Sequence, residues 1–146
     1  MSLFNLMSVS ASGMQAQRLR AQTIVENLAN SETTRTPDGG PYKRKDVVLA
    51  SGEVDSPFSA VFQSSLQGGS SGVSVTDILE DSRAGELRYQ PNHPDANAQG
   101  YVAYPHISPA EEMVDLMDAS RNFEANTAAL SAVKDMLSKS IDLLKL

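Results

Sequence analysis

The side chains of this sequence best suited to chemistry are few and poorly spaced for it. His93 and His106 are the two histidines, and each stands beside a proline in a turn-rich stretch. Histidine titrates nearest neutrality of the side chains and is the commonest metal ligand. A zinc site also needs partners at fixed spacing. Neither histidine has a carboxylate pair at helical distance, and the chain has no cysteine to complete a set. Both are expected to pack or to face solvent. Asp95, Asn97, Gln99 and Gly100 follow the first half of a calcium-binding EF-hand loop, but His106 occupies the position of the bidentate glutamate and no entering helix precedes Asp95. Gly39-Gly40 runs into Pro41 where a phosphate loop would carry Lys-Ser, and no serine sits in a nucleophile elbow. Lys43, Arg44 and Lys45, with Arg35 and Tyr42 close by, form a basic cluster. In a chain with 18 acidic and 12 basic residues, net charge −6, that cluster suits an acidic neighbour or solvent. Nucleic acid would call for a basic surface. No catalytic residue, metal, cofactor or small-molecule substrate is expected.

The strongest pattern in the chain is mechanical. Leu116, Phe123, Leu130, Leu137 and Leu144 recur every seven residues, with Met113, Ala119, Val133, Met136, Ile141 and Leu143 beside them at helical spacing. An apolar repeat of 3.5 residues over more than four heptads marks a helix that packs lengthwise against other helices. At 1.5 Å per residue it runs on the order of 50 Å, longer than a domain of this size is wide. Ser108, Pro109 and Glu111 form a capping box with proline in the first turn. The packing ladder is assigned to Leu116, Phe123, Leu130, Val133, Leu137, Ile141 and Leu144.

A second, weaker stripe lies at the front: Met7, Ala11, Met14, Ala21, Val25 and Leu28. Arg18 interrupts it, and Ser8, Ser10, Ser12 and Gly13 form helix poorly, so this helix needs a partner, for which the C-terminal ladder is the natural choice. Most of the seven prolines and nine glycines fall between residues 37 and 109. There, Asp46–Ala50, Pro57–Phe62, Val73–Ile78, Leu87–Tyr89 and Tyr101–Tyr104 read as short strands, Pro37–Pro41 and Gln90–Pro94 as turns, and Gln67–Gly72 as a loop tip. The expected fold is α+β: long terminal helices packing as a coiled-coil-like pair around a small irregular β-rich insert. The expected divisions are an axial helix at 1–30, a turn- and strand-rich middle at 31–107 and an axial helix at 108–146.

Length bounds the 146 residues to one domain. The first fourteen residues lack the basic and continuous apolar regions of a secretory signal, and no run of about twenty apolar residues would span a membrane. The segment from Asn30 to Asp46, with Arg35, Lys43, Arg44 and Lys45, reads as an extended arm that contacts other subunits.

Several phrases resemble one known family. Glu26-Asn27-Leu28-Ala29-Asn30, the run from Ser31 to Pro41, and Tyr42-Lys43-Arg44-Lys45-Asp46-Val47-Val48 are similar to the segment after the first helix of flagellar basal-body rod proteins. Glu111-Glu112-Met113-Val114-Asp115, Ala119-Ser120-Arg121, Glu124-Ala125-Asn126 and Lys134-Asp135-Met136-Leu137 resemble that family's C-terminal signature. Tyr89 to Ala96, then Tyr101-Val102, resemble its proximal-rod members, as does the length. The resemblance implies a structural subunit of the drive shaft that carries motor torque to the hook and filament. It implies passage through the flagellar type III export apparatus without a cleaved signal. Assembly would follow in the periplasmic basal body with other rod proteins and copies of itself, with no direct membrane insertion. The residues by themselves leave open a secreted or soluble coiled-coil assembly subunit or adaptor unrelated to the rod.

Overall fold

The computed structural model describes residues 3–53 and 71–143. Helix α1 (Leu3–Ala29) is followed by strands β1 (Lys45–Glu53), β2 (Ser71–Glu80), β3 (Glu86–Tyr89) and β4 (Tyr101–Tyr104), and then by helix α2 (Pro109–Leu143). The strands form two separate antiparallel pairs, β1 with β2 and β3 with β4. The fold is α+β, two long helices with a small antiparallel insert between them.

Local chemistry sets both helix ends. At the start of α2, the Glu111 amide donates to Ser108 Oγ at 3.5 Å and the Glu112 amide to the Ser108 carbonyl at 3.0 Å, with Pro109 in the first turn. At the end of α1, the Glu26 carbonyl accepts from both the backbone amide of Asn30 (3.1 Å) and its side-chain Nδ2 (2.9 Å), and the Leu28 carbonyl from Ser31 Oγ (2.8 Å). Those carbonyls would otherwise be orphaned where the helix stops.

The helices pack antiparallel. Asn27 meets Glu112 at one end, and Gly13 lies against Asn126 further along. Fourteen residues separate the two contacts on each helix. Leu3, ten residues before Gly13, therefore stands level with Met136, ten residues after Asn126. Residues 137–143 of α2 overhang the start of α1.

The face that α1 buries is not its apolar stripe. Gly13, Ala16, Thr23, Ile24 and Asn27 are buried, whereas Ala11 and Val25 are exposed and Met7, Met14, Ala21 and Leu28 only half-buried. With 3.6 residues per turn the helix is rotated by roughly a third of a turn from the expected orientation. The cause is a second neighbour. The β1–β2 hairpin also lies along α1, and the Val73 amide donates to Ser12 Oγ at 3.1 Å. Between hairpin and α2, small residues let the backbones close. A Cβ built on Gly13 would stand 3.0 Å from Asn126 Nδ2. Gly13→Val should therefore cost about 1–3 kcal/mol by overpacking. Gly13→Ala should be nearly neutral, since its gain in helix propensity of about 1 kcal/mol offsets a small shift of Asn126. Thermal melts followed by circular dichroism separate the two.

Within the single chain the ladder is only partly covered. Leu116, Leu130 and Leu137 are half-buried and Val133 is buried, but Phe123 is 40% exposed and Ile141 52%. Phe123 stands level with Ala16, where the helices leave no room for a ring. Ile141 lies in the overhang. Leu144 and the expected strand Pro57–Phe62 lie outside the described residues. Ser71 and Gly72, read as part of a loop tip, instead pair with Glu53 and Gly52. In the second sheet Gly100 adopts φ +81°, and a Cβ there would meet the Tyr89 ring at 2.9 Å, so glycine is required on both counts.

Candidate functional site

The most tightly built place in the molecule is a buried polar hub where the end of α1, the start of β1 and the start of α2 meet. Asn27 and Glu112 are each 1% exposed. Asn27 Nδ2 donates to the Lys45 carbonyl at 2.8 Å and to Glu112 Oε2 at 3.2 Å. Its Oδ1 accepts from the Lys45 amide at 2.9 Å and from the Tyr42 hydroxyl at 3.2 Å. All four hydrogen-bonding positions of the amide are thus filled, and the partners fix which atom is oxygen and which nitrogen. Toward Lys45 the side chain behaves like a peptide unit of a neighbouring strand, so β1 begins where α1 can offer it.

Arg44 closes the hub from outside. Its Nε donates to Glu112 Oε1 at 2.5 Å, it pairs with Asp46, and its Nη2 lies 3.7 Å from Asp115, which Arg20 approaches at 3.7 Å from α1. Burial pulls the guanidinium pKa down, but the Glu112 hydrogen bond and the surrounding carboxylates outweigh it, so the pKa stands above its ordinary value. Burial, followed by the charges of Glu26, Glu80 and Glu112, pushes the Tyr42 phenol up and keeps it a donor. Removing one partner from such a network leaves a buried polar group without its mate, a cost of several kcal/mol.

This placement revises the arm at Asn30–Asp46. Arg44 was expected to present charge to another subunit, yet it is held inside its own chain. Lys45 Nζ pairs with Glu26 at 3.5 Å, and Lys43 with Glu80 at 4.0 Å. Asn30 caps α1 and accepts from Thr33 Oγ1 at 3.1 Å. Arg35, with its side chain 79% exposed, is 3.8 Å from Asp95. Asp95 also accepts from Thr34 Oγ1 at 2.8 Å, and Asn97 Oδ1 accepts from the amides of Gln99 and Tyr101. The residues that mimic a calcium loop thus tie the arm to the β3–β4 turn. Among the described residues no cluster suits a metal ion.

The hairpin exit carries the most displaced carboxyl. The Arg83 side chain, and then its backbone amide, donate to Asp81 and hold its pKa down to about 2 from an ordinary 3.8. A depressed carboxyl stabilises the fold above its unfolded value and loses that contribution as pH falls toward 2. Its contribution is complete above about pH 5 and, in a contact between residues two apart, local. A carboxyl titration by NMR should find Asp81 near 2, returning to the ordinary range in Arg83→Ala.

Outside the hub the helix pair leaves much apolar surface uncovered. Ala16, Ile24, Val102, Ala119 and Val133 are the buried apolar residues among those described, while Val25, Met113, Met117, Phe123, Met136, Ile141 and Leu143 are exposed. Asn27 and Glu112 are the hub residues that periodicity missed, and Arg44 was placed in the contact arm instead. A signal for Glu112 was present: it stands four residues before Leu116, on the ladder's own stripe.

Residues 98–143 match the family model described as "Flagellar basal body rod FlgEFG protein C-terminal". Over its full length the chain is similar to curated proteins named flagellar basal-body rod protein FlgC. It is 42% identical to that of Bacillus subtilis (98% of this chain, 99% of the relative) and 38% identical to that of Borreliella burgdorferi (99% of each). Identity to the protein of Salmonella typhimurium is 36%, over 98% of each chain.

Proposed function

The chain belongs to the flagellar basal-body rod proteins, the FlgC branch among them, and from that premise we propose that it is a structural subunit of the rod itself. It assembles in the basal body with other rod components, copies of itself included, into the helical shaft that transmits torque to hook and filament. Its route is the flagellar type III export apparatus, and its place is the periplasmic span of the basal body. The role is mechanical, not catalytic. An unrelated coiled-coil adaptor is not favoured, because the identity to rod proteins extends over nearly the whole chain.

One observation carries the reading: a 27-residue and a 35-residue helix are joined by small residues and a polar hub, with larger apolar side chains left facing outward. Burying one Leu, Ile, Met or Phe contributes about 1.5–3 kcal/mol, so neighbours that cover Phe123, Met136 and Ile141 supply the missing core. A tagged copy in a strain lacking the gene tests this. Basal bodies should carry the tag in the rod and motility should return. Tag confined to soluble oligomers would overturn it.

The arm at Asn30–Asp46 is part of the proposal, now through its outer charges. Arg35→Glu with Lys43→Glu leaves the hub intact and should yield rods that break or stop short, with a thermal transition within about 0.5 kcal/mol of the parent. Normal rods from that strain would make the arm an internal strap only.

A further inference from the structure

Asp38 and Gly39 form the sole Asp-Gly step of the sequence, and no Asn-Gly step occurs. They stand at the tip of the arm. The Gly39 amide closes the turn there on the Thr36 carbonyl at 3.0 Å, and the Thr36 amide on the Gly40 carbonyl at 2.9 Å. Asp38, Gly39 and Gly40 are all exposed. Gly39 and Gly40 adopt φ +85° and +80°, and a Cβ built on either would meet nothing within 4 Å. The Asp38 carboxyl makes no hydrogen bond or ion pair among the described residues. The other aspartates are placed differently. Asp46, Asp81, Asp95 and Asp115 each lie against an arginine. Asp77 Oδ1 accepts the Ile78 amide at 2.8 Å within β2. Asp118, Asp135 and Asp142 lie in α2, where the helix ladder holds the amide that follows each. Asp55 lies outside the described residues.

We infer that Asp38 is a site of self-modification, where the arm converts slowly from an aspartyl to an isoaspartyl linkage. The Gly39 nitrogen attacks Cγ of the protonated Asp38 carboxyl. The N–Cγ bond forms, the C–OH bond breaks, and the hydroxyl leaves as water with the amide proton, closing an imide ring. Water then adds back. Addition at Cγ restores aspartate. Addition at the backbone carbonyl leaves the chain running through the side chain, with a free α-carboxylate. Water released equals water consumed, so the step needs no oxidant, cofactor or enzyme. Two features of the site favour it. Glycine has no side chain to crowd the attacking nitrogen. The bonds that hold the turn lie at an exposed tip, the kind of contact that opens locally while the rest of the fold stays closed. The product is longer by a methylene between Thr36 and Gly40, so it cannot keep both closing bonds. The Tyr42 amide, which donates to the Thr33 carbonyl at 3.0 Å, lies outside the lengthened stretch, and the hub lies beyond it. The change is therefore confined to the tip of the arm, between Arg35 and Lys43, whose relative placement it alters.

The test incubates the folded full chain near neutral pH and digests samples over time. Isoaspartate is read by electron-transfer fragmentation as an isomer of unchanged mass, which separates it from deamidation, and by enzymatic methylation of its free α-carboxylate. The peptide holding Asp38 should gain the isomer at least roughly tenfold faster than the peptides holding the arginine-bound or helical aspartates. Asp38→Glu, which could close only a larger and slower-forming ring, should lose the signal at this position while melting like the parent. In the isomerised chain, amide exchange should quicken at Thr36 and Gly39 and stay unchanged at Lys45, whose amide donates to Asn27 in the hub. An Asp38 peptide that remains unmodified would overturn the assignment and show that the turn guards its own amide. An isomer that forms sooner at an arginine-bound or helical aspartate would overturn it as well. Faster exchange at Lys45 would overturn the confinement of the change to the tip.

Discussion

Replacing Asn27 by aspartate should cost about 3–5 kcal/mol at neutral pH, although the two side chains differ by one atom. The amide nitrogen donates to the Lys45 carbonyl and to Glu112, and a carboxylate can do neither. It would instead set a second negative charge within about hydrogen-bond distance of Glu112 in a place closed to water. Two carboxylates so close cannot both stay ionised, so one must hold a proton in the folded protein that the unfolded chain releases. The sign follows. The variant's folded state binds more protons than its unfolded state above the ordinary carboxylate range, so its stability should rise as pH falls from 7 toward 5. The parent should show no such gain. Thermal melts at pH 7 and pH 5 make the comparison, and a loss of several kcal/mol lowers a transition of this size by roughly 10 °C or more. Asn27→Asp melting with the parent at pH 7 would show that the hub does not hold the three segments together.

The sequence made some of this legible and concealed the rest for a definite reason. The 3.5-residue repeat of α2 and its Ser108 cap were plain, because aliphatic residues at regular spacing have one physical explanation. Strands near β1 to β4 could be read from β-branched and aromatic runs between turn residues. The orientation of α1 could not. Periodicity weighs residues by hydrophobicity, whereas α1 packs through Gly13, Ala16, Thr23 and Asn27, chosen for small size or for hydrogen bonds. Its more apolar stripe is what a neighbour would cover, so the pattern located a face without saying which partner owned it. Glu112 was hidden in a related way. A carboxylate on a packing stripe looks like the solvated end of a helix until Arg44, 68 residues earlier, is brought to it by the β1 strand. Arg44 in turn was read as surface charge because it lies between two lysines. Contacts of long sequence separation set the roles of both, and the place of Glu112 on the packing stripe was the one local trace of them.

Leu130→Asp should abolish rod assembly and swimming while the protein is still made. Leu130 stands level with Val9 and is half-buried within the chain alone. In the free subunit the new carboxylate can still reach water, and Val133 is the one residue of α2 beyond Ala119 that is buried among those described. The expected change there is partial fraying of residues 3–14, visible as faster amide exchange, with the hub at Asn27 and Glu112 unaffected. Assembly removes the escape to water. Once neighbouring helices cover the exposed flank, the charge is enclosed without a partner, at a cost of several kcal/mol for every subunit in the shaft. That penalty repeats along the rod, so a defect modest in one chain becomes prohibitive in the polymer. Asp118→Asn, at an exposed position of the same helix, should change stability by no more than about 0.5 kcal/mol and leave swimming intact. Exchange rates on the purified chain and swim halos of the two strains measure the two halves of the argument. Normal halos from Leu130→Asp would mean that the ladder serves only the intrachain pair, and that the rod is held by other surfaces.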